Sequence, residues 1–345
     1  MSIRSYILSL MKDERNEKVD IMVKSFLKML SRAYEWGVKF VDRQYRTGAR
    51  HVHKVSVPVI SVGNITVGGT GKTPFTIYLA DHFLNAGKNP AVLIRGYGDD
   101  EHRMLRDELP DVPVLVGQNR AKSANAAVRT GSDVLILDDG FQHRRVSRDL
   151  NILLLDSAAP FGNGCLLPRG ILREPVPSLK RADMIVLVKS DRISAEEKEK
   201  LVGRLADLAP EIPVAVARHK PVFFADVTGM AYSPEDLKGK RMCLVSGIAD
   251  PGYFALQVKR LGGMISTRFD FTDHHGYTQK DIDRIRAQCS RDKIDAIVVT
   301  KKDYVKMREL DLSRIEEKIF ILHIVIEIIE GKEKIIAGLN SVICR

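Results

Sequence analysis

The chain has 345 residues, 44% of them hydrophobic and 28% charged, with a net charge of +10. That length allows two domains with well-buried cores, and the composition is that of a globular protein. The charge favours an anionic partner: nucleic acid, an acidic membrane surface or a phosphorylated substrate. The four cysteines are scattered with no C-x-x-C pair. That argues against a zinc site or a disulfide framework and suits a reducing cytoplasm. No apolar run approaches the roughly 20 residues that span a bilayer, and the first residues do not read as a secretory signal.

In chain order, residues 1–20 read as a short helix with a charged break. From Ile21 to Lys54 the pattern is a basic amphipathic helix running into a basic tail. Val23, Phe26, Leu27, Leu30, Tyr34, Val38 and Val41 fall near the helical period. Lys24, Lys28, Arg32, Lys39, Arg43, Arg46, Arg50 and Lys54 lie between and after them. The residues leave two readings open: a helix lying in a membrane interface beside anionic lipid, or one packed on the domain with a solvated basic face.

A βα rhythm follows. Val57–Val62 reads as a strand, Lys72 to about Asn85 as a helix, Pro90–Arg95 as a strand and 120–129 as a helix. Asp133–Leu137, Asn151–Asp156, Met184–Val188 and Pro213–Ala217 read as strands, with Ala195–Leu208 a helix capped by Ser194. After a turn-rich boundary at Thr228–Lys240 come Met242–Ser246 (strand), Tyr253–Leu261 and Gln279–Ser290 (helices), then Ala296–Thr300 and Ile319–Ile326 (strands). The expectation is an α/β protein: a P-loop-like parallel-sheet domain over 55–227 and a smaller C-terminal α/β lobe over 228–345, with a ligand cleft between them. The helical segment 1–54 precedes both.

The chemistry concentrates at Gly68-Gly69-Thr70-Gly71-Lys72-Thr73, between a strand and a helix. This resembles the end of a phosphate-binding loop, with Lys72 for the β/γ-phosphates and Thr73 for Mg²⁺. The usual first glycine is replaced by Thr66, and Val67 stands where the ParA/MinD-type loop has lysine. The nucleotide-binding candidates are Thr66, Val67, Gly68, Gly69, Thr70, Gly71, Lys72 and Thr73. About 65 residues on, the aliphatic strand ends in Asp138-Asp139, where a magnesium-side carboxylate belongs.

Further blocks extend the pattern: Ser61-Val-Gly-Asn64, Arg95-Gly-Tyr-Gly98, Leu137-Asp-Asp-Gly-Phe-Gln-His-Arg-Arg-Val146 and Leu167-Pro-Arg-Gly-Ile-Leu-Arg-Glu-Pro175. Together they closely resemble the tetraacyldisaccharide 4'-kinase family, the lipid A kinase, over roughly residues 21–330. That family's loop likewise lacks the first glycine.

The resemblance implies an ATP- and Mg²⁺-dependent kinase, peripheral at the cytoplasmic face of the inner membrane. It would phosphorylate the 4'-hydroxyl of a tetraacylated glucosamine disaccharide 1-phosphate, giving lipid IVA, and it moves the N-terminal helix toward membrane association. Carried onto this chain, it gives Lys72, Asp138 and Asp139 catalytic work and makes Thr73 and Asp139 the metal side. Asp100, with Asp99 second, becomes the proton acceptor. Its partner comes from Phe271-Thr-Asp-His-His-Gly-Tyr277, His275 first and His274 second, oriented by Asp273. Asn64, Arg120, Gln142, His143, Arg169 and Arg173 become substrate-side residues, and Arg144 and Arg145 join the basic set.

One rival motif remains. Thr300-Lys301-Lys302-Asp303 after a strand matches the [NT]-K-x-D element that reads guanine, so a P-loop GTPase is the alternative. A nucleotide-regulated membrane-attachment protein is a further reading, against which the paired histidines and the arginines argue. Nucleic-acid binding is not expected, because the basic residues flank an apolar helix and not stacking aromatics.

Overall fold

The computed structural model describes residues 3–96, 99–315 and 318–343. Tyr97 and Gly98 of the R-G-Y-G block, the Asp99 side chain and Cys344 lie outside the described residues.

Two helices open the chain, α1 (Ile3–Met11) and α2 (Lys18–Arg46). A capping box between Glu17 and Asp20 starts α2. Then follow β1 (Val59–Gly63), α3 (Lys72–Asn85), β2 (Pro90–Ile94), α4 (Asp99–Glu108), β3 (Val114–Val116), α5 (Arg120–Arg129), β4 (Val134–Leu137), β5 (Leu150–Asp156), β6 (Met184–Val188) and α6 (Ala195–Leu208). After them come β7 (Val214–Asp226), β8 (Ala231–Tyr232), α7 (Pro234–Leu237), β9 (Arg241–Ser246), α8 (Pro251–Arg260), β10 (Met264–Asp270), α9 (Gln279–Asp292), β11 (Ala296–Thr300), α10 (Lys301–Met307), β12 (Lys318–Glu330) and α11 (Lys332–Ile343). The chain is α/β, as expected.

The chain forms two compact units that are not continuous in sequence: residues 1–95, 115–218 and 328–345, and residues 96–114 and 219–327. In the first, the strand order is β6-β5-β1-β4-β2-β3, joined beside β6 by the first residues of β7. The pairs from β2 through β6 are parallel. Strands β1, β2, β4 and β6 are buried at every position, which is why they read as unbroken aliphatic runs rather than as alternation. Ser61 lies opposite Leu137. Asn64 and Asp138 therefore leave the sheet at the same carboxyl edge, the edge where ligands bind in doubly wound sheets.

In the second unit, β10-β9-β11-β12 form a sheet with parallel pairing, and β8 pairs antiparallel with the end of β7. Its cores lie on both faces, around Ile282, Ile285 and Val299 on one and Phe254, Val258 and Leu244 on the other. Strand β10 escaped sequence reading. It is half-exposed throughout, and its sequence MISTRFD carries little apolar signal.

Helix α2 carries a second stripe besides the one that packs on the protein. Leu27 and Ser31 are buried, while Met22, Phe26, Met29, Trp36 and Phe40, spaced three, four or seven residues apart, stand exposed. Lys28, Arg32, Lys39 and Arg43 are exposed on the same helix. Among the described residues no helix is long and apolar enough to cross a membrane.

Candidate active site

The first unit holds the phosphate-loop cluster. Gly71 caps α3 with φ 75°, and Gly68 sits at φ 112°, backbone shapes that favour glycine. Thr66 needs no such freedom. It forms an antiparallel bridge with Leu172, the Val67 amide donates to the Ile171 carbonyl at 2.8 Å, and the Arg173 amide donates to that of Ile65 at 2.7 Å. The missing glycine is thus replaced by a short extended pairing with the L-P-R-G-x-L-R-E-P block. Asn64 fixes the loop from inside, donating to the Thr70 hydroxyl at 2.8 Å.

The Asp138-Asp139-Gly140-Phe141 turn packs on β1 too closely for a side chain at either glycine. A Cβ on Gly140 would come within 2.5 Å of the Ser61 hydroxyl, and one on Gly63 within 2.5 Å of Phe141. This packing sets Asp139 at φ 51°, an uncommon conformation for a residue with a side chain. Its carboxylate is gripped by Arg173 in a two-pronged pair, 2.8 and 3.1 Å, with Lys72 Nζ at 3.7 Å. Burial would push the Asp139 carboxyl up, but Lys72, Arg173 and Arg120 outweigh it and hold the group at about 2. Asp138 is buried and receives the Thr73 hydroxyl at 3.5 Å. The Thr73 hydroxyl therefore meets Asp138, not Asp139.

These oxygens fit a hard cation such as Mg²⁺, which takes few protein ligands. Among the described residues no group of three or more His, Cys, Asp and Glu could hold a metal. The loop's glycines, Lys72 and the start of α3 fit a polyphosphate.

Arg120, at the start of α5, is 1% exposed, and among the described residues its Nε and Nη1 have no hydrogen-bond partner. Burial lowers its pKa, while Asp138 and Asp139 support its charge. Gln142 donates to the Asn64 carbonyl at 2.8 Å. Gln142 and His143 also line a cavity of about 440 Å³ with Tyr45, Arg50, Arg95, Arg144 and Arg145. Among the described residues no carboxylate lines it. Burial and then Arg120, Arg148, Arg145 and Arg95 push His143 down to about 4, so its ring is neutral at pH 7. Arg169 is engaged elsewhere, with the Leu10 carbonyl at 2.9 Å and with Asp13. Arg144 pairs with Asp42 of α2 at 2.5 Å.

The second unit holds the other cluster. Asp100, the first choice for proton acceptor, belongs to the acidic stretch after Gly98. That stretch is the first turn of α4, and Asp100 is 3% exposed. Its Oδ2 lies 3.1 Å from His274 Nδ1, 3.5 Å from Lys306 Nζ and 3.9 Å from Lys302 Nζ. Burial opposes ionisation, yet His274 and the two lysines hold the carboxyl well below the usual range. His274 is raised above its ordinary value, first by its hydrogen bond to Asp100. His275, the first choice from sequence, instead stacks on Phe271 at 4.3 Å and meets Asp281 at 3.2 Å. The sequence H-H could not say which ring turns inward.

The Thr300–Asp303 element is also in this unit. Asp303 is fully buried. It accepts from the Gly247 amide at 2.9 Å, the Tyr277 hydroxyl at 3.0 Å and the Thr300 hydroxyl at 2.6 Å. A carboxylate so occupied does not present itself to a guanine base. Lys302 and Lys306 were missed as neighbours of Asp100, because only folding brings α10 against α4.

A family model described as LpxK, tetraacyldisaccharide-1-P 4'-kinase, matches residues 23–103 and 99–343. The chain is 35% identical over 359 residues to the tetraacyldisaccharide 4'-kinase of Desulfatibacillum aliphaticivorans, covering 94% of each chain. It is 34% identical over 319 residues to that of Anaeromyxobacter dehalogenans (strain 2CP-C), covering 86% of this chain and 84% of the relative. The crystal structure of the "apo" form of LpxK from Aquifex aeolicus in complex with ATP superposes with a TM-score of 0.72 at 28% identity, covering 93% of this chain and 99% of that one. With loop, paired aspartates and arginine in place, the chain belongs to the tetraacyldisaccharide-1-P 4'-kinase family.

Proposed function

We propose that this chain transfers the γ-phosphoryl group of ATP to the 4'-hydroxyl of a tetraacyl glucosamine disaccharide 1-phosphate, and that it does so at an anionic membrane surface. The observation that carries the reading is the loop cluster: Lys72, Arg173 and Arg120 converge on Asp138 and Asp139 at the carboxyl edge of the sheet. Thr73 and Asp138 would hold Mg²⁺, which neutralises charge on the phosphates when bound. Lys72 and the amides from Gly68 to Thr73 bind the β- and γ-phosphates. Arg173 fixes Asp139 and, with Arg120, supplies positive charge where it develops on the transferred group.

The acceptor oxygen forms its bond to phosphorus as the bond to the β-phosphate oxygen breaks, and Asp100 takes the hydroxyl proton. In a loose transition state the nucleophile needs orientation more than a strong base. A carboxylate that stays ionised at neutral pH suits that task, with His274 holding its orientation. The arginine-lined cavity around Arg50, Arg95 and Arg145 is assigned to the phosphate that the acceptor already carries. The exposed apolar stripe of α2, flanked by lysines and arginines, is assigned to the lipid interface.

The test is transfer of label from γ-labelled ATP, with GTP in parallel, to a tetraacyl disaccharide 1-phosphate in micelles. Expected is a bisphosphorylated lipid made in preference from ATP, and a Lys72→Ala protein that folds but makes none. Nucleotide hydrolysis without lipid product would overturn the reading.

A further inference from the structure

The T-K-K-D element is left without a task by the kinase reading, yet it lies against the Asp100–His274 pair. Two of its side chains reach that pair by separate routes. The first route is backbone. Asp303 accepts the Gly247 amide at 2.9 Å, and the Gly247 carbonyl accepts the His274 amide at 3.1 Å. A Cβ on Gly247 would stand 3.1 Å from the His275 Cβ and 3.2 Å from Asp303 Oδ1, so the contact is close on both sides. His274 itself sits at φ 61°, a conformation that a side chain adopts only when its surroundings impose it.

The second route is the side chain of Lys302. Its ammonium lies 3.3 Å from His274 Nε2, the nitrogen on the far side of the ring from Asp100. It is also 3.5 Å from Asp273 Oδ1 and 3.5 Å from Glu101 Oε1. An ammonium has donors only. In the neutral ring Nε2 therefore accepts from Lys302, and the ring proton resides on Nδ1, where it donates to Asp100.

We infer that Lys302 is a positioning residue of the phosphoryl transfer, which locks His274 as the neutral Nδ1–H tautomer and so fixes the Asp100 carboxylate toward the acceptor hydroxyl. The inference rests on the proposed role of Asp100. The charged groups that face His274 and its partners are Asp100 and Glu101 from α4, Lys302 and Lys306 from α10, and Asp273 from its own loop. Lys302 opposes protonation of the ring, whereas Asp100 and Asp273 favour it. Removing Lys302 therefore makes His274 easier to protonate. A protonated ring donates from both nitrogens and no longer has the geometry that Lys302 sets.

The experiment is Lys302→Met in the full chain, read in two ways. Long-range ¹H–¹⁵N spectra of the histidine rings report tautomer and titration without any turnover. Expected is an Nδ1–H ring in the parent, and in the variant a mixed tautomer titrating about one pH unit higher, a tenfold change in protonation. In turnover, kcat falls about tenfold at acidic pH and recovers to within about twofold at alkaline pH, while KM for ATP and lipid stays within about twofold. If the variant does not fold, Lys302→Gln, which keeps a donor without the charge, is expected to hold the Nδ1–H tautomer and to show only the higher titration and the kcat loss at acidic pH. An unchanged tautomer and titration, or a kcat loss equal at every pH, overturns the inference. Because the spectra need no reaction, they separate it from the role of Asp100, which fails on its own if Asp100→Asn keeps full transfer.

Discussion

Arg173 and Asp139 are joined by two parallel hydrogen bonds, 2.8 and 3.1 Å long, across 34 residues of sequence. The pair ties the L-P-R-G-x-L-R-E-P block to the turn after β4, and Lys72 approaches the same carboxylate. Arg173→Met is expected to leave the fold intact and to lower kcat about 100- to 1000-fold, the range seen when one hydrogen-bond donor to a developing anion is removed. Arg173→Lys keeps the charge without the two-pronged geometry and is expected to recover only part. Near-parent kcat in Arg173→Met would remove this pair from the chemistry.

Acid should weaken the fold through the same carboxylates. Asp139 is held at about 2 and Asp100 is also held low, against about 3.9 in an unfolded chain. A group with a depressed folded pKa stabilises above its unfolded pKa, and that contribution is lost as pH falls through the folded value. Urea midpoints are therefore expected to drop steeply below about pH 4, and less steeply in Asp139→Asn and Asp100→Asn. Parallel curves for parent and variants would show that other groups set the acid limit.

Asp303 offers a test of nucleotide choice. Asp303→Ala strands the Gly247 amide and the Tyr277 hydroxyl in the interior. It is expected to cost about 2–4 kcal/mol of stability by thermal or urea unfolding. The ratio of ATP to GTP use should not move. A selective change in GTP use would revive the guanine-reading motif.

The α2 stripe predicts surface binding. Trp36 is 78% exposed and Phe40 62%. Burying either in lipid contributes about 1.5–3 kcal/mol, so Trp36→Asp with Phe40→Asp should lower binding to anionic vesicles more than tenfold. Sedimentation with such vesicles measures this. Unchanged partition would return the helix to a purely structural role.

For the arginine-lined cavity, Arg50→Gln with Arg145→Gln should raise the acceptor KM several-fold, about 1 kcal/mol or more for lost charge-assisted contacts. The effect should vanish with an acceptor lacking its 1-phosphate. An equal loss on both acceptors would place that phosphate elsewhere.

Much of this was legible in sequence where local rules suffice. The bounds of α3 follow from G-K-T-P, and those of α6 from Ser194 and its capping box with Glu197. The paired aspartates follow from an aliphatic strand that ends in charge. What was hidden is what folding alone juxtaposes. His274 and not His275 reaches Asp100 because Gly247 holds one amide. Arg169 fits the family's basic pattern but binds the N-terminal helices. Arg50 reads as part of a basic tail and lines a cavity with residues from 95 onward.

The bridge between Thr66 and Leu172 has a consequence for affinity. A glycine-rich loop that is loose without ligand must lose conformational freedom when the nucleotide arrives, and binding is weakened by that cost. Here part of the loop is already stitched by backbone hydrogen bonds to the segment that delivers Arg173. That part of the ordering is done during folding, and the loop is preorganised there. Restoring the usual glycine at position 66 would therefore loosen the loop rather than repair it, and nucleotide would bind more weakly to the sequence that looks more conventional.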